Sequence, residues 1–234
     1  MIFPPYLAMT AAEIAVCDNL PSNTAWMACH YSPYGTALTN LPRAFPAGSM
    51  IIVNDRTPIH GHDPKRIAEQ LAELEARLHP GCFLLDLQRP DCPGNAAVAK
   101  EAVQALSCPV GVSDLYAREL SCPVFLPPVP PNCLLREYLA PWQDREVWLE
   151  AALTGIQATV TESGCTFSPL PPGDQPECLF LDQALHCRYR ADPEQQRIRF
   201  TLQRTKPDLD ALLQEADALG VTRCVGLYQE LGKL

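Results

Sequence analysis

Two apolar runs on either side of an amphipathic segment decide the fold: Ser49-Met-Ile-Ile-Val-Asn-Asp55 and Gly81-Cys-Phe-Leu-Leu-Asp-Leu-Gln88. Both runs are short and unbroken and end in polar residues, which is typical of strands buried on both faces. Between them, Asp63-Pro64 predicts the N-cap and first residue of a helix that continues to Leu78. A strand, a helix and another strand in succession predict two parallel strands covered by the helix.

The same alternation continues on both sides of this unit. Further strands are predicted at 24–31, 109–113, 123–126, 146–153 and 221–227, and further helices at 96–106, 133–139 and 207–219. Only one irregular helical turn fits between 113 and 123. Two β-hairpins are predicted in the last third, 156–168 and 185–203, and the second turns at Asp192-Pro193-Glu194.

About eight strand candidates in 234 residues suit an α/β fold of the (β/α)8 or TIM-barrel type, which takes about 250 residues. We predict one irregular barrel domain over residues 1–234, with β-hairpin insertions in its C-terminal third. An open doubly wound sheet is the alternative. It has less support, because no glycine-rich phosphate-binding turn follows any predicted strand.

Composition limits the function and the compartment. The net charge of −9 argues against nucleic acid and anionic membrane surfaces as partners. No apolar run is long enough to span a membrane, and the N-terminal residues do not have the pattern of a signal peptide. The 11 cysteines include no Cys-x-x-Cys pair, and several lie in apolar runs, which indicates buried thiols in a reducing compartment. We therefore expect a cytoplasmic protein with no cofactor and no bound metal.

Polar residues at the ends of the predicted strands are the candidate site, because TIM-barrel sites lie at the carboxyl ends of the strands. The candidate catalytic residues are Asp86, Asp114 and Glu150, and the candidate ligand-binding residues are Asp55, Gln88, Tyr31, Tyr228 and Glu230. If the even-numbered positions of the predicted strands 82–88 and 109–113 face inwards, Asp86, Gln88 and Asp114 share one mouth of the barrel. Converging carboxylates can act as an acid and base pair, and aromatic rings can stack on a sugar. Alternatively, the Asp residues cap the following helices and the rings are core.

The run Gly81–Gln88 resembles the strand motif of glycoside hydrolase family 18, the chitinase-like barrels. That motif has a glycine at the strand start and three alternating acids, and the last acid is a Glu that protonates the leaving group. Asp86 matches the middle acid, whereas Leu84 replaces the first and Gln88 replaces the Glu. An amide cannot donate a proton as a carboxylic acid can. The resemblance therefore implies a sugar-binding relative without hydrolysis, or a protein whose acid lies elsewhere.

A second motif, His60-Gly-His62-Asp63, resembles the His-x-His metal site of amidohydrolases. That family requires more histidines at later strand ends, and none follows here. A polar loop whose Asp63 caps the next helix is the alternative interpretation.

Three functional hypotheses remain open from the sequence. The first is a barrel that binds a small polar ligand, such as a carbohydrate, at the carboxyl ends of its strands. The second is a glycosidase-type hydrolase that uses two of the carboxylates, and the third is an interaction protein with no small-molecule site. The sequence leaves the oligomeric state undetermined.

Overall fold

The computed structural model describes residues 4–56, 61–92, 94–170, 177 and 180–232. The chain divides into two compact units. The barrel unit contains the described residues of 4–127, 144–150 and 222–232, and the sheet unit contains those of 128–143 and 151–221. A single domain over 1–234 stays a prediction.

The described strands are β1 (Tyr6–Met9), β2 (Thr24–Tyr31), β3 (Leu38–Thr39), β4 (Met50–Asn54), β5 (Cys82–Asp86), β6 (Val110–Ser113), β7 (Val124–Leu126), β8 (Val147–Glu150), β9 (Gly155–Thr161), β10 (Gly164–Pro169), β11 (Phe180–Asp182), β12 (Cys187–Glu194), β13 (Arg197–Gln203) and β14 (Val221–Leu227). The described helices are α1 (Ala11–Ala15), α2 (Pro64–Leu78), α3 (Gly94–Ala105), α4 (Asp114–Ala117), α5 (Leu135–Leu139), α6 (Lys206–Ala218) and α7 (Tyr228–Leu231), with a 3-10 turn at Ala140–Trp142.

Eight parallel strands form a closed barrel in the order β1-β14-β8-β7-β6-β5-β4-β2, and β2 pairs with β1 to complete the circle. The predicted TIM-barrel fold is confirmed. The sequence did not indicate β1, because a strand of four residues next to Pro4-Pro5 is too short to show a period. The segment predicted as the first strand, Thr24–Tyr31, is therefore the second strand of the barrel.

Side chains fill the inside of the barrel, which is typical of this fold. The inward-facing core includes Met50 and Ile52 of β4, Cys82 and Leu84 of β5, and Trp148 of β8. Gly111 of β6 lies against Trp148, because a Cβ at Gly111 would come within 2.2 Å of the indole ring. Only glycine allows the strand to approach so large a ring.

Helix α2 shows how local sequence positions the barrel layers. The Asp63 carboxylate accepts a hydrogen bond from the Arg66 amide at 3.1 Å and caps the helix at the predicted residue. The apolar stripe of α2 is buried. The helix ends at His79, which adopts a left-handed conformation with φ of 50°.

The sheet unit contains a five-stranded antiparallel sheet in the order β10-β9-β13-β12-β11, so both predicted hairpins join one sheet. The turn predicted at Asp192-Pro193-Glu194 is wrong, because β12 continues to Glu194 and pairs with Arg197. The described pairing of β11 with β12 extends only from Cys187 to Tyr189.

None of the helices within the described ranges is both long and apolar enough to cross a membrane.

Candidate functional site

The inward face at the carboxyl end of the barrel carries Asn54 and Asp86, the last residues of two neighbouring strands. They lie opposite each other in the parallel register of β4 and β5. Each continues an inward-facing series, because Ile52 and Leu84, two residues earlier, belong to the barrel core. The even-numbered positions of β5 therefore face inwards, as the sequence argument required for Asp86.

Two adjoining cavities lie at this end. The barrel cavity, of about 80 Å³, is lined by Met27, Asn54, Asp86, Phe125, Glu150 and Leu227, among other residues. The loop cleft, of about 290 Å³, is lined by Asp86, Gln88, Ser113, Asp114, Phe125 and Pro127, among others. Asp86 and Phe125 line both spaces. A ligand in the loop cleft would therefore touch the same carboxyl group that faces the barrel interior.

Gln88 holds the side chain of Asp86. Gln88 Nε2 donates a hydrogen bond to Asp86 Oδ1 at 2.9 Å. Burial raises the pKa of Asp86, the hydrogen bond from Gln88 acts in the opposite direction, and the charge of Asp55 adds a further increase. The amide at position 88 therefore stabilises the ionised form of Asp86.

Glu150, the last residue of β8, also lines the barrel cavity. Burial is the main reason that its pKa is raised to about 7, and the charges of Asp86 and Glu230 add to the effect. A carboxylic acid with this pKa is substantially protonated at neutral pH and can donate a proton.

Asp114 reaches the loop cleft from the start of a helix, and the prediction that even-numbered positions of β6 face inwards is wrong. In β6 the inward positions are odd-numbered, as the packing of Gly111 against Trp148 indicates. Asp114 is the first residue of α4, and its Oδ1 accepts a hydrogen bond from the Leu115 amide at 3.0 Å. Asp114 nevertheless lines the loop cleft together with Asp86 and Gln88.

Asp55 is buried on the other side of β4 and organises the loop after β5. Its carboxylate accepts hydrogen bonds from the Gln88 amide at 3.1 Å, the Arg89 amide at 2.9 Å and Asn95 Nδ2 at 2.8 Å. Asp55 does not line the barrel cavity or the loop cleft. Its contribution to the site is to hold the loop that carries Gln88, and direct ligand contact stays a prediction.

The other predicted ligand-binding residues lie outside the two cavities. Tyr31 is fully buried, with its ring edge-on to His62 at a centroid distance of 5.2 Å. Tyr228 begins α7 and packs against Gly232, where a Cβ would come within 2.2 Å of the tyrosine ring. Glu230 acts on the site through its charge, which raises the pKa of Glu150.

The His-x-His motif is only partly within the described residues, because His60 lies outside them. His62 Nε2 is 3.7 Å from Cys92 Sγ, and burial lowers the pKa of His62. In the described part of the chain, no group of three or more His, Cys, Asp or Glu residues is placed to hold a metal ion.

Asn54, Met27 and Phe125 line the barrel cavity but were not predicted as site residues. The sequence contained a signal for Asn54. Ile51, Val53 and Asp55 share one face of their strand, so Asn54 lies on the opposite face, in the same register as Asp86. Residue type favours Asp55 as the site residue, whereas strand parity places Asn54 at the mouth.

No family model and no curated protein matches the sequence. Among solved structures, the chain is similar to ydhD of Bacillus subtilis, which is assigned as a sporulation-specific glycosylase, with a TM-score of 0.54 and 10% identity. The match covers 86% of this chain and 89% of that one. This likeness shows a shared fold.

Two further structures match with lower scores. The spore cortex-lytic enzyme SleL of Bacillus megaterium QM B1551 has a TM-score of 0.44 and 11% identity over 79% of this chain, which spans 56% of that enzyme. SleL of Bacillus cereus has a TM-score of 0.48 and 7% identity over 89% of this chain and 64% of that enzyme.

Proposed function

We propose that the barrel unit binds a carbohydrate chain at its carboxyl-terminal mouth and hydrolyses a glycosidic bond there. The observation that carries the proposal is the pairing of two inequivalent carboxyl groups, Glu150 and Asp86, around one cavity. Glu150, with a pKa raised to about 7, is the proton donor to the leaving oxygen. Asp86, with a hydrogen bond from Gln88 that favours its charged form, faces the developing positive charge on the sugar. Water adds to the anomeric carbon as the bond to the leaving oxygen breaks, and the proton that the water loses returns to Glu150.

The space and the fold are consistent with this chemistry. The loop cleft of about 290 Å³ is at the lower end of the range for small-molecule sites, which suits one or two sugar rings. Glu150 lines only the adjoining barrel cavity of about 80 Å³, so the proposal places the scissile oxygen where the two spaces meet, beside Asp86. Phe125 provides an aromatic wall beside Asp86. A protein assigned as a glycosylase shares the fold, which supports the proposal by analogy only.

Carbohydrate binding without hydrolysis is a second candidate, and Gln88 favours it. In the motif that Gly81–Gln88 resembles, the position of Gln88 holds the catalytic Glu. Gln88 donates to Asp86 instead, and an amide cannot act as a general acid. The two candidates differ in whether Glu150 replaces that acid.

The test measures hydrolysis and binding separately on the full chain. The wild type, Glu150→Gln and Asp86→Asn are assayed on a panel of chromogenic glycosides and on a glycan array. We expect both variants to lose about 100-fold or more in kcat, because Glu150→Gln removes the general acid and Asp86→Asn removes the charge that stabilises the transition state, while Glu150→Gln still binds glycan. Glu119→Gln, an exposed carboxyl outside both cavities, is the matched control and keeps full activity.

The outcomes separate the candidates. Binding with no hydrolysis by the wild type would favour the second candidate. An absence of both binding and hydrolysis across the array and the panel would reject both and leave the interaction-protein hypothesis.

We also propose a cytoplasmic location. Cysteines within the described residues include free thiols at the buried positions Cys29 and Cys82 and at the exposed Cys165, which suits a reducing compartment. Fractionation of the cells that produce the protein, followed by immunoblotting, tests the location, and recovery from the culture medium would contradict it.

A further inference from the structure

Strand β10 is the outer edge of the five-stranded sheet, and it is exposed along its whole length. Within the described residues, its one strand partner is β9, on its inner side. An unpaired edge of this kind offers backbone N–H and C=O groups to a further strand.

The pairing with β9 determines which groups of β10 point outwards. The Leu170 amide donates to Gly155 O at 3.0 Å, so this opposed pair is hydrogen-bonded. Opposed pairs in an antiparallel ladder alternate between hydrogen-bonded and non-hydrogen-bonded. The backbone groups of Cys165, Phe167 and Pro169 therefore point away from β9, and Pro169 has no N–H to leave unpaired.

The side chains of β10 divide into an apolar and a neutral polar face. On the apolar face, Phe167 and Cys165 of β10 lie opposite Ala158 and Val160 of β9. Val160 in turn lies opposite Ile198 of β13. These residues share one face, and Phe167 is 58% exposed on it. Thr166 and Ser168 lie on the other face.

The charges favour a second copy of the same strand as the occupant of this edge. All six residues of β10 are uncharged, whereas β12 and β13 carry several arginines on the polar face. In an antiparallel pairing centred on Thr166, Cys165 of each copy lies opposite Phe167 of the other. Glu162 then lies opposite Leu170, so no like charges oppose each other across the new pair.

We propose that two copies of this chain associate through β10, with a two-fold axis at Thr166, to form one continuous ten-stranded sheet. Each of the two Cys165–Phe167 pairs exchanges two backbone hydrogen bonds, which satisfies every outward N–H of these residues. The two-fold axis is perpendicular to the sheet, so the apolar faces adjoin and each Phe167 packs against Cys165 of the other copy. Six residues per copy form a small contact compared with roughly 20–30 a side in standard interfaces, so the dimer dissociates on dilution.

Disulfide trapping tests the register directly. In a Cys165→Ser background, Thr166→Cys places two thiols at a non-hydrogen-bonded pair with Cα atoms about 4.5 Å apart, within disulfide range. The matched control is Ser168→Cys, which is on the same face and is also exposed. Its two copies lie four residues apart along the strand, about 13 Å at 3.3 Å per residue, which is too far to bridge.

We expect Thr166→Cys to form covalent dimers under mild oxidation at least ten times faster than Ser168→Cys. Analytical ultracentrifugation of the unmodified chain should show a concentration-dependent dimer, and Phe167→Lys, which introduces a charge at the edge, should abolish it. Equal cross-linking rates for the two cysteine variants, or a monomer at the highest soluble concentration, would overturn the proposal. Both readouts are independent of glycan binding and hydrolysis.

Discussion

The carboxyl group of Glu150 is placed where the folded protein resists its ionisation. It is the last residue of β8, faces a cavity that also contains Asp86, and has a pKa raised from 4.5 to about 7. Burial is the largest cause, because a charged carboxylate loses its hydration there. The same environment that would make Glu150 a proton donor therefore makes it unfavourable for stability at alkaline pH.

Replacing Glu150 by Gln should change how stability depends on pH. The folded-state pKa lies above the unfolded value, so the stability that Glu150 contributes is complete below about pH 4.5 and is lost as the pH rises through 7. We expect Glu150→Gln to match the wild type near pH 4.5 and to exceed it by roughly 2–3 kcal/mol at pH 8. Urea unfolding across this pH range measures the difference in the free energy of unfolding.

Glu119→Gln is the control for this measurement. Because Glu119 is exposed, this variant should show the same dependence of stability on pH as the wild type. Parallel profiles for Glu150→Gln and the wild type would show that Glu150 titrates normally, and would remove its assignment as the proton donor.

The junction between β13 and α6 depends on one buried guanidinium in the sheet unit. Arg204 is 2% exposed, and its nitrogens donate to the backbone oxygens of Val129, Pro130, Leu185 and His186 and to Thr154 Oγ1. Burial lowers the pKa of Arg204, and nearby Cys187 and Asp208 oppose that effect. A planar fork with five N–H donors reaches carbonyl groups from two separate stretches of chain.

Arg204→Lys should destabilise the sheet unit, because an ammonium group cannot reproduce the fork and leaves buried carbonyl oxygens without donors. We expect the free energy of unfolding of the sheet unit to fall by roughly 2–4 kcal/mol. Faster amide hydrogen exchange in β9, β12 and β13 would measure this loss. Arg190→Lys is the matched control, since Arg190 forms a half-exposed ion pair with Asp192 and should cost less than about 1 kcal/mol. Equal exchange in the two variants would contradict the role of Arg204.

Closure of the barrel depends on its first strand along the chain, β1, which has only four residues. The four residues of β1 pair in parallel with β14 on one side and with β2 on the other. Without β1, two apolar strands would have open edges in a sheet that is otherwise buried.

Deleting residues 1–10 should therefore open the barrel. We expect the truncated chain to aggregate or to lose its cooperative thermal transition, followed by circular dichroism and size-exclusion chromatography. Deleting residues 1–3, which leaves β1 intact, is the control and should behave like the wild type. A monomeric truncated chain with an unchanged Tm would contradict this view of closure.

The sequence by itself determined the elements whose own residues specify them. Apolar strands such as Cys82–Asp86 and the capped helix Pro64–Leu78 are predictable, because burial periodicity, an N-cap and a Pro-Gly stop are local signals. The same signals placed Asp86 near the end of one predicted strand and Glu150 late in another, and in the structure each is the last residue of its strand. The sequence did not reveal β1, which is a strand because β14 and β2 lie on both sides of it.

The tertiary structure alone decided which polar residues share a cavity. Asp55 and Asn54 are neighbours in sequence, yet Asn54 faces the barrel interior and Asp55 holds a loop on the other side. The inward-facing positions are even-numbered in β5 but odd-numbered in β6, as the packing of Gly111 against Trp148 shows. The tertiary structure also sets the pKa of Glu150, because the increase results from burial and from the charges of carboxylates that are distant in sequence. Strand register and closure are set by non-local pairing, so no local pattern encodes them.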